Sequence, residues 1–435
     1  MPEIKDRDKE QPEKRQFIKE KIVRQPRTKE QFIKGGIVLL FLAALFGVIA
    51  AITFTISRPI AEKYLAGGET ESQTISIPKD EETAPSQEAE KEPEEPETEP
   101  VRDLVEEALS SYQYTMQDFT TIYGNLKQLG QKVDKSVAVV HSVRHETDWF
   151  DNPVENTGYY SGIIIAATNT EILVLAPESA VESADSIRVT FQDGTEVSGT
   201  KRQTDKITGL SVISVRKSDL PEEAAQKLEA LKLGNSYSIK TGDLLIAVGS
   251  PIGIPHSMDF GHVTYIAKNV QVPDGTMRVF YVNMNLNAEA GTFLINSSGE
   301  VVGWVTDDYT NGISQEMTTA FGISEYKGIL EKLSNGREAA YMGIRGQEIT
   351  EQMSETGIPA GVYVQEVMLE SPAYEAGIQN GDIIVQAGEK ELKTMKEFQN
   401  IIEQLESGQS LKLIVQRAGN QEYKQIEYNV LLGAR

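Results

Sequence analysis

Residues 160–176 read YSGIIIAATNTEILVLA. Two apolar runs rich in β-branched residues, 162–167 and 172–176, stand either side of Thr168-Asn169-Thr170. Short apolar runs divided by a polar turn predict strands of a buried sheet. The pattern continues outward in both directions. SVAVVHSV begins at Ser136, and SIRVTF, SVISVR, DLLIAVG, HVTYIA, RVFYVNM, TFLIN and VVGWVT follow downstream, each bounded by Gly, Asn or Asp. About ten to twelve strands over 134–335 predict a mainly β region built as two small barrels or a sandwich. Residues 336–435 mix strands (GVYVQEV, DIIVQAG, LKLIVQR, KQIEYNV) with one helix. Thr394 and Glu397 form a T-x-x-E capping box ahead of Phe398, Ile401, Ile402 and Leu405.

The N-terminal third has another character. Residues 1–34 carry eleven Lys/Arg against seven Asp/Glu with no apolar period, a tail unable to build a core. Residues 35–57 hold no charge over 23 positions, long enough to span a ~30 Å hydrocarbon layer as a helix. Basic residues crowd its N-terminal side, and only Arg58 and Lys63 follow closely. The bias predicts a single-pass cell-membrane anchor with its N-terminus cytoplasmic and everything after it extracytoplasmic. A cleaved signal peptide is the rival, though its apolar region is usually about 7–15 residues. Residues 58–102 form an acidic, Pro-rich linker: twelve acids, two lysines and five prolines lie between Glu69 and Pro100. That composition predicts an extended spacer. Over 103–133, Val105, Leu109, Tyr112, Met116, Phe119, Tyr123 and Leu126 recur at alternating spacings of four and three. The stripe suits a self-associating coiled coil or an amphipathic helix packed on its own domain.

Composition excludes several chemistries. There is no cysteine, hence no disulfide, Cys nucleophile or Cys-ligated metal. The four histidines, His141, His145, His256 and His262, fall into no metal-binding pattern, and no cofactor is implied. A net charge of -23 argues against holding nucleic acid by its phosphates.

The last 95 residues resemble a PDZ domain of the HtrA type. Tyr341-Met342-Gly343-Ile344, Ser371-Pro372-Ala373, Ala376-Gly377-Ile378 and Gly381-Asp382-Ile383-Ile384 carry the likeness. In such domains the Y-x-G-I loop offers backbone N–H groups to a peptide's terminal carboxylate, and the next strand pairs with the peptide. Tyr341, Met342, Gly343 and Ile344 are thus the candidate peptide-binding residues. Glycine at 343 fits a backbone that a carboxylate must approach closely. Residues 134–335 are similar to the matching trypsin-like protease domain, a double β-barrel. Ser161-Gly162-Ile163-Ile164 and Asp193-Gly194 match its first barrel; Thr241-Gly242-Asp243, Gly249-Ser250-Pro251-Ile252-Gly253 and Gly299-Glu300-Val301-Val302-Gly303 match its second.

The resemblance implies a serine nucleophile, a histidine base and an orienting aspartate. This sequence departs from it at all three. The family's T-N-x-H-V-V segment reads Ala176-Pro177-Glu178-Ser179-Ala180-Val181, placing Ser179 at the histidine. The D-x-x-x-D-L-A-V run reads Asp205-Lys206-Ile207-Thr208-Gly209-Leu210-Ser211-Val212, placing Gly209 at the aspartate. The G-N-S-G-G-P-L segment reads Ala288-Glu289-Ala290-Gly291-Thr292-Phe293-Leu294, placing Ala290 at the serine. The stretch from Asn287 to Gly291 reads one residue short of the pattern that supplies the oxyanion-hole N–H groups. No histidine lies between 146 and 255, so a slipped alignment cannot restore the base. Ser297-Ser298-Gly299 reads as a hairpin turn.

The expectation is a membrane-anchored, extracytoplasmic, catalytically degenerate HtrA-type protein, not an enzyme. It would bind peptide C-termini or misfolded envelope proteins through its PDZ domain, as scaffold or adaptor. By family resemblance it would assemble as a homotrimer. The alternatives are an active serine endopeptidase with a non-standard site, or a non-degrading subunit of a mixed oligomer.

Overall fold

A computed structural model describes residues 73–82, 115–147, 153–307, 309, 317–420 and 422–435. The tail 1–34, the span 35–57, most of the linker 58–102 and the first part of 103–133 lie outside the described residues. Among the described residues no helix is long and apolar enough to cross a membrane.

Two closed antiparallel barrels account for the β-rich half. The first contains β1 (Val137–Thr147), β2 (Pro153–Ala167), β3 (Glu171–Pro177), β4 (Ser186–Thr190), β5 (Glu196–Asp205) and β6 (Leu210–Arg216), paired in the order β1-β2-β3-β6-β5-β4. The run quoted first becomes the β2–β3 pair, with Ile163 opposite Leu175 and Ile164 opposite Val174. All four side chains are fully buried, as an apolar run without alternation requires of a strand covered on both faces. The second barrel contains β7 (Leu244–Gly249), β8 (Ser257–Val272), β9 (Gly275–Val282), β10 (Thr292–Ile295), β11 (Val301–Thr306) and β12 (Thr318–Gly322), ordered β10-β11-β12-β9-β8-β7. One apolar cluster, including Ile163, Leu175, Leu210, Val248, Phe293 and Trp304, runs through both. Closure leaves neither barrel an unpaired edge.

Helix α1 (Met116–Asp134) precedes the first barrel, capped by Thr115 and Asp118 in a reciprocal pair of bonds. Helix α2 (Lys327–Ser334) follows the second. The C-terminal unit contains β13 (Ala340–Tyr341), β14 (Ile344–Glu348), β15 (Val362–Val367), β16 (Ile383–Ala387), β17 (Lys390–Glu391), β18 (Ser410–Ala418), β19 (Tyr423–Leu431), β20 (Gly433–Ala434) and helix α3 (Met395–Gln404). The Thr394–Glu397 capping box forms as the sequence implies, and Phe398 and Ile402 enter the core. Asp382 of the Gly381-Asp382-Ile383 motif is fully buried and takes both ends of the Arg417 guanidinium, at 2.6 and 2.8 Å.

Residues 73–82, inside the stretch read as a spacer, instead lie against the folded domains. Ile75 and Ile77 pack on the core of the barrels, and their N–H groups donate to Asn335 Oδ1 and Glu331 Oε2. Asp80 pairs with the buried Lys327, and Glu82 with the buried Arg278. Buried cations need such partners, and here an acidic segment far away in sequence brings them.

Candidate site: a cleft between the barrels and a loop that holds a carboxylate

Ser179 and Gly209 come together between the barrels, beside the loop that carries Ala290. Pro177 ends β3, and the chain turns through a short 3-10 segment, Glu178–Ala180, that carries Ser179. Between β5 and β6 the chain reverses at Gly209, whose φ of +68° suits glycine. The fully buried Asp205 fixes that turn: its carboxylate accepts from the Ile207 N–H at 2.9 Å and the Thr208 hydroxyl at 2.8 Å. The Glu178 N–H donates to the Gly209 carbonyl at 2.8 Å, joining the two turns. From the other barrel, loop 287–291 closes over them: the Ser179 hydroxyl donates to the Glu289 carbonyl at 2.9 Å. The resulting cleft of about 290 Å³ is lined by residues including Ser179, Gly209, Glu178, Glu182, Lys206 and Trp304.

None of the four histidines lines this cleft. His141 and His145 lie on β1, His262 on β8, and His256 in the turn between β7 and β8. His141 shares a 2.8 Å hydrogen bond with the Thr190 hydroxyl, and His256 faces the Asp134 carboxylate at 3.1 Å. Burial, reinforced by Glu182, raises the Glu178 carboxyl above its ordinary value. No group of three or more His, Cys, Asp or Glu among the described residues is placed to hold a metal.

The N–H of Ala290 is already occupied. Ala290 N–H donates to Asn287 Oδ1 at 2.7 Å, while the Thr292 hydroxyl donates to the Asn287 carbonyl at 2.6 Å. The loop is thus folded onto its own side chain. Its far end is pinned at the barrel seam: Ser161 N–H donates to the Ala290 carbonyl at 2.8 Å, and Ser250 N–H to the Gly291 carbonyl at 2.9 Å. The buried Ser161 and Ser250 hydroxyls meet at 2.8 Å. Gly291 has φ +88°, and a Cβ there would lie 2.1 Å from the Ser161 carbonyl oxygen.

Tyr341, Met342, Gly343 and Ile344 connect β13 to β14. Their loop contains a carboxylate, that of Asp274 in the β8–β9 turn. Met342 N–H donates to Oδ2 at 2.6 Å, Gly343 N–H to Oδ1 at 2.8 Å and Oδ2 at 3.0 Å, and Ile344 N–H to Oδ1 at 3.0 Å. Gly343 has a further reason to be glycine: a Cβ at this φ of +88° would meet Ser371 Cβ at 2.3 Å. Asp274 was not distinguishable in the sequence: Pro273-Asp274-Gly275 reads as an ordinary turn.

Residues 160–303 match the model of the trypsin-like peptidase domain, and residues 340–430 that of the PDZ domain. The serine protease Do-like HtrA of Bacillus subtilis is 27% identical over 295 residues, 62% of this chain and 63% of its own. The protein named "Probable periplasmic serine endoprotease DegP-like" of Pseudomonas savastanoi pv. phaseolicola is 29% identical over 280 residues, 62% of this chain and 56% of its own. The matches therefore span less than two thirds of either relative. Among solved structures, the HtrA-type protease AlgW with decapeptide shares the fold, with a TM-score of 0.51 at 20% identity over 71% of this chain and 98% of that one.

Proposed function

We propose that this chain, which belongs to the HtrA-type family of trypsin-like peptidases with a C-terminal PDZ domain, acts by binding proteins and does not cleave them. The observation that carries this reading is the composition of the cleft. Ser179, Gly209 and Ala290 offer one hydroxyl but neither base nor orienting carboxylate, and no histidine lines the cleft. The N–H at 290 donates to Asn287 Oδ1, so that donor is not open to an oxyanion.

Peptide C-termini are the ligands that the loop 341–344 suits. Its three converging N–H groups already satisfy one carboxylate, so the donor geometry fits that chemistry. The uncharged span 35–57 and the asymmetry of basic residues around it support a membrane anchor with the folded domains outside the cytoplasm. A relative named as periplasmic agrees with that placement. Met116, Phe119, Ile122 and Tyr123 stand 50–76% exposed along α1, an unusual row for a solvated helix and a seam for a homotrimer.

The full chain in detergent, incubated with unfolded casein and with a fluorophosphonate probe, tests the reading. Intact casein and an unlabelled chain are expected. Turnover blocked by the probe would instead establish the active endopeptidase with a non-standard site. Light scattering on the same sample reads the oligomer: a monomer at micromolar concentration would remove the trimer.

A further inference from the structure

Asp274 is an odd residue for a hairpin turn. Turn carboxylates are ordinarily solvated, yet Asp274 is 2% exposed and holds φ +62°, a backbone region that non-glycine residues enter at a cost. What surrounds it accounts for both. Among the described residues, its carboxylate accepts from the N–H groups of Met342, Gly343 and Ile344, and its own N–H donates to the Ile344 carbonyl at 2.7 Å. Two residues on, Thr276 N–H donates to Gln399 Oε1 at 3.1 Å, and the intervening Gly275 packs against the same side chain. Gln399 belongs to α3, and Ile344 begins β14. The hairpin tip therefore enters between the loop's N–H groups and the helix, where an added peptide would put its last residues.

We propose that Asp274 is an internal stand-in for a peptide's terminal carboxylate, and that it closes the PDZ loop to free C-termini until the β8–β9 hairpin withdraws. This rests on the reading of 341–344 as a peptide site and adds its regulation. A carboxylate tethered within the same chain competes at an effective concentration in the ~mM range, far above that of any one free C-terminus. The apparent affinity for an outside peptide falls by the fraction of molecules whose loop is open. The same contact couples the two domains. A peptide that enters must release the hairpin, and a partner that moves β8 or β9 must open the loop.

The test uses the full chain in detergent, with wild type, Asp274→Ala and Asp274→Asn. Asparagine keeps the size of the turn residue while removing its charge and one acceptor. It covers the case in which the alanine variant does not fold, monitored by thermal melting. The probes are a fluorescent pool of decapeptides with free apolar C-termini and the same pool amidated. Hydrogen exchange at Met342, Gly343 and Ile344 is followed without peptide. The expected result is faster exchange at those three amides in both variants. Free-acid peptides should then bind at least tenfold tighter to Asp274→Ala than to wild type, with Asp274→Asn between them, and no gain for the amidated pool. Equal affinity of wild type and variants for the free acids would overturn the gate and leave the peptide reading standing. Faster exchange with no binding of either pool to any variant would overturn both, making Asp274 a structural clip.

Discussion

Two loops in this chain point backbone N–H groups at an oxygen, and they obtain that oxygen from different distances. At the cleft between the barrels, Ala290 N–H bonds to Asn287, three residues back in the same turn. At the PDZ loop, Met342, Gly343 and Ile344 bond to Asp274, roughly 70 residues away and carried by the second barrel. The first oxygen is a neutral amide and forms with the loop itself. The second is a carboxylate that arrives only when a hairpin packs against another domain. A local cap commits the loop to one shape; a remote cap can leave without unfolding what it covers. One chain thus holds two sets of backbone donors, one capped from within its own turn and one capped from another domain.

The largest effect concerns catalysis. Restoring the triad by Ser179→His, Gly209→Asp and Ala290→Ser should leave kcat/KM on an unfolded substrate at the buffer background. Triad members act as a unit with the oxyanion donors, and one such donor alone is worth about 10²–10³ in kcat. The aspartate would also have to accept φ +68°. A clear rate from the triple variant would break the comparison, because the Asn287 cap would then be no tighter than the Asp274 one. Adding Asn287→Gly sharpens it: only the variant with the amide removed has a free N–H at 290.

The two glycines come next. Gly291 and Gly343 share φ +88°, and each sits against a close neighbour. Gly291→Ala and Gly343→Ala should each cost on the order of 3 kcal/mol in urea unfolding, through backbone strain and steric overlap. The neighbours differ, however: a carbonyl oxygen of Ser161 in one case, the Cβ of Ser371 in the other. Ser371→Gly should rescue Gly343→Ala in part, whereas no side-chain trimming can relieve Gly291→Ala. Equal rescue by Ser161→Gly at the barrel seam would show that the cleft loop is as adaptable as the PDZ loop.

The caps themselves should differ in their worth. Asp274→Ala strands three buried N–H groups and is expected to lower stability by about 2–3 kcal/mol. Asn287→Ala strands one that is only half-buried and within reach of water, so a loss below about 1 kcal/mol is expected. Chemical denaturation followed separately through Trp304 and through PDZ-domain amide exchange reads the two. A larger loss at Asn287 would reverse the assignment of local and remote roles.

These differences also explain what the sequence could convey. The β2–β3 run was legible because burial on both faces writes an unbroken apolar pattern, and the Thr394–Glu397 box because capping is local. Motif order pointed to Ser179, Gly209 and Ala290, and the structure brings Ser179 and Gly209 into one cleft beside loop 287–291. Asp274 was not legible. Its role depends on where a hairpin tip lands after two domains pack, and no periodicity records that. The docking of residues 73–82 was missed for the same reason: acids and prolines signal an extended chain, and only the folded protein presents the buried Arg278 and Lys327 to them.

The smallest expected effect supplies a control for the comparison, since backbone donors do not titrate and an imidazole does. Asp134 ends α1, where a carboxylate faces the negative end of the helix dipole. His256 stands against it, with Nδ1 3.1 Å from each carboxylate oxygen. The bond to Asp134 raises the His256 pKa above its ordinary value, against the opposing pull of partial burial. Raised in the folded state, the histidine contributes its full stabilisation below the unfolded value near 6.5, and that contribution is lost as pH climbs through the folded pKa. His256→Asn keeps a donor, suits the left-handed φ of +60° and cannot titrate. Wild type should therefore exceed His256→Asn in stability by up to about 1 kcal/mol at pH 5.5, with the gap closing by pH 8.5. A gap that stays constant with pH would mean that Asp134 is held as Asp274 is, by geometry alone, and that charge on the imidazole contributes nothing to the docking of α1.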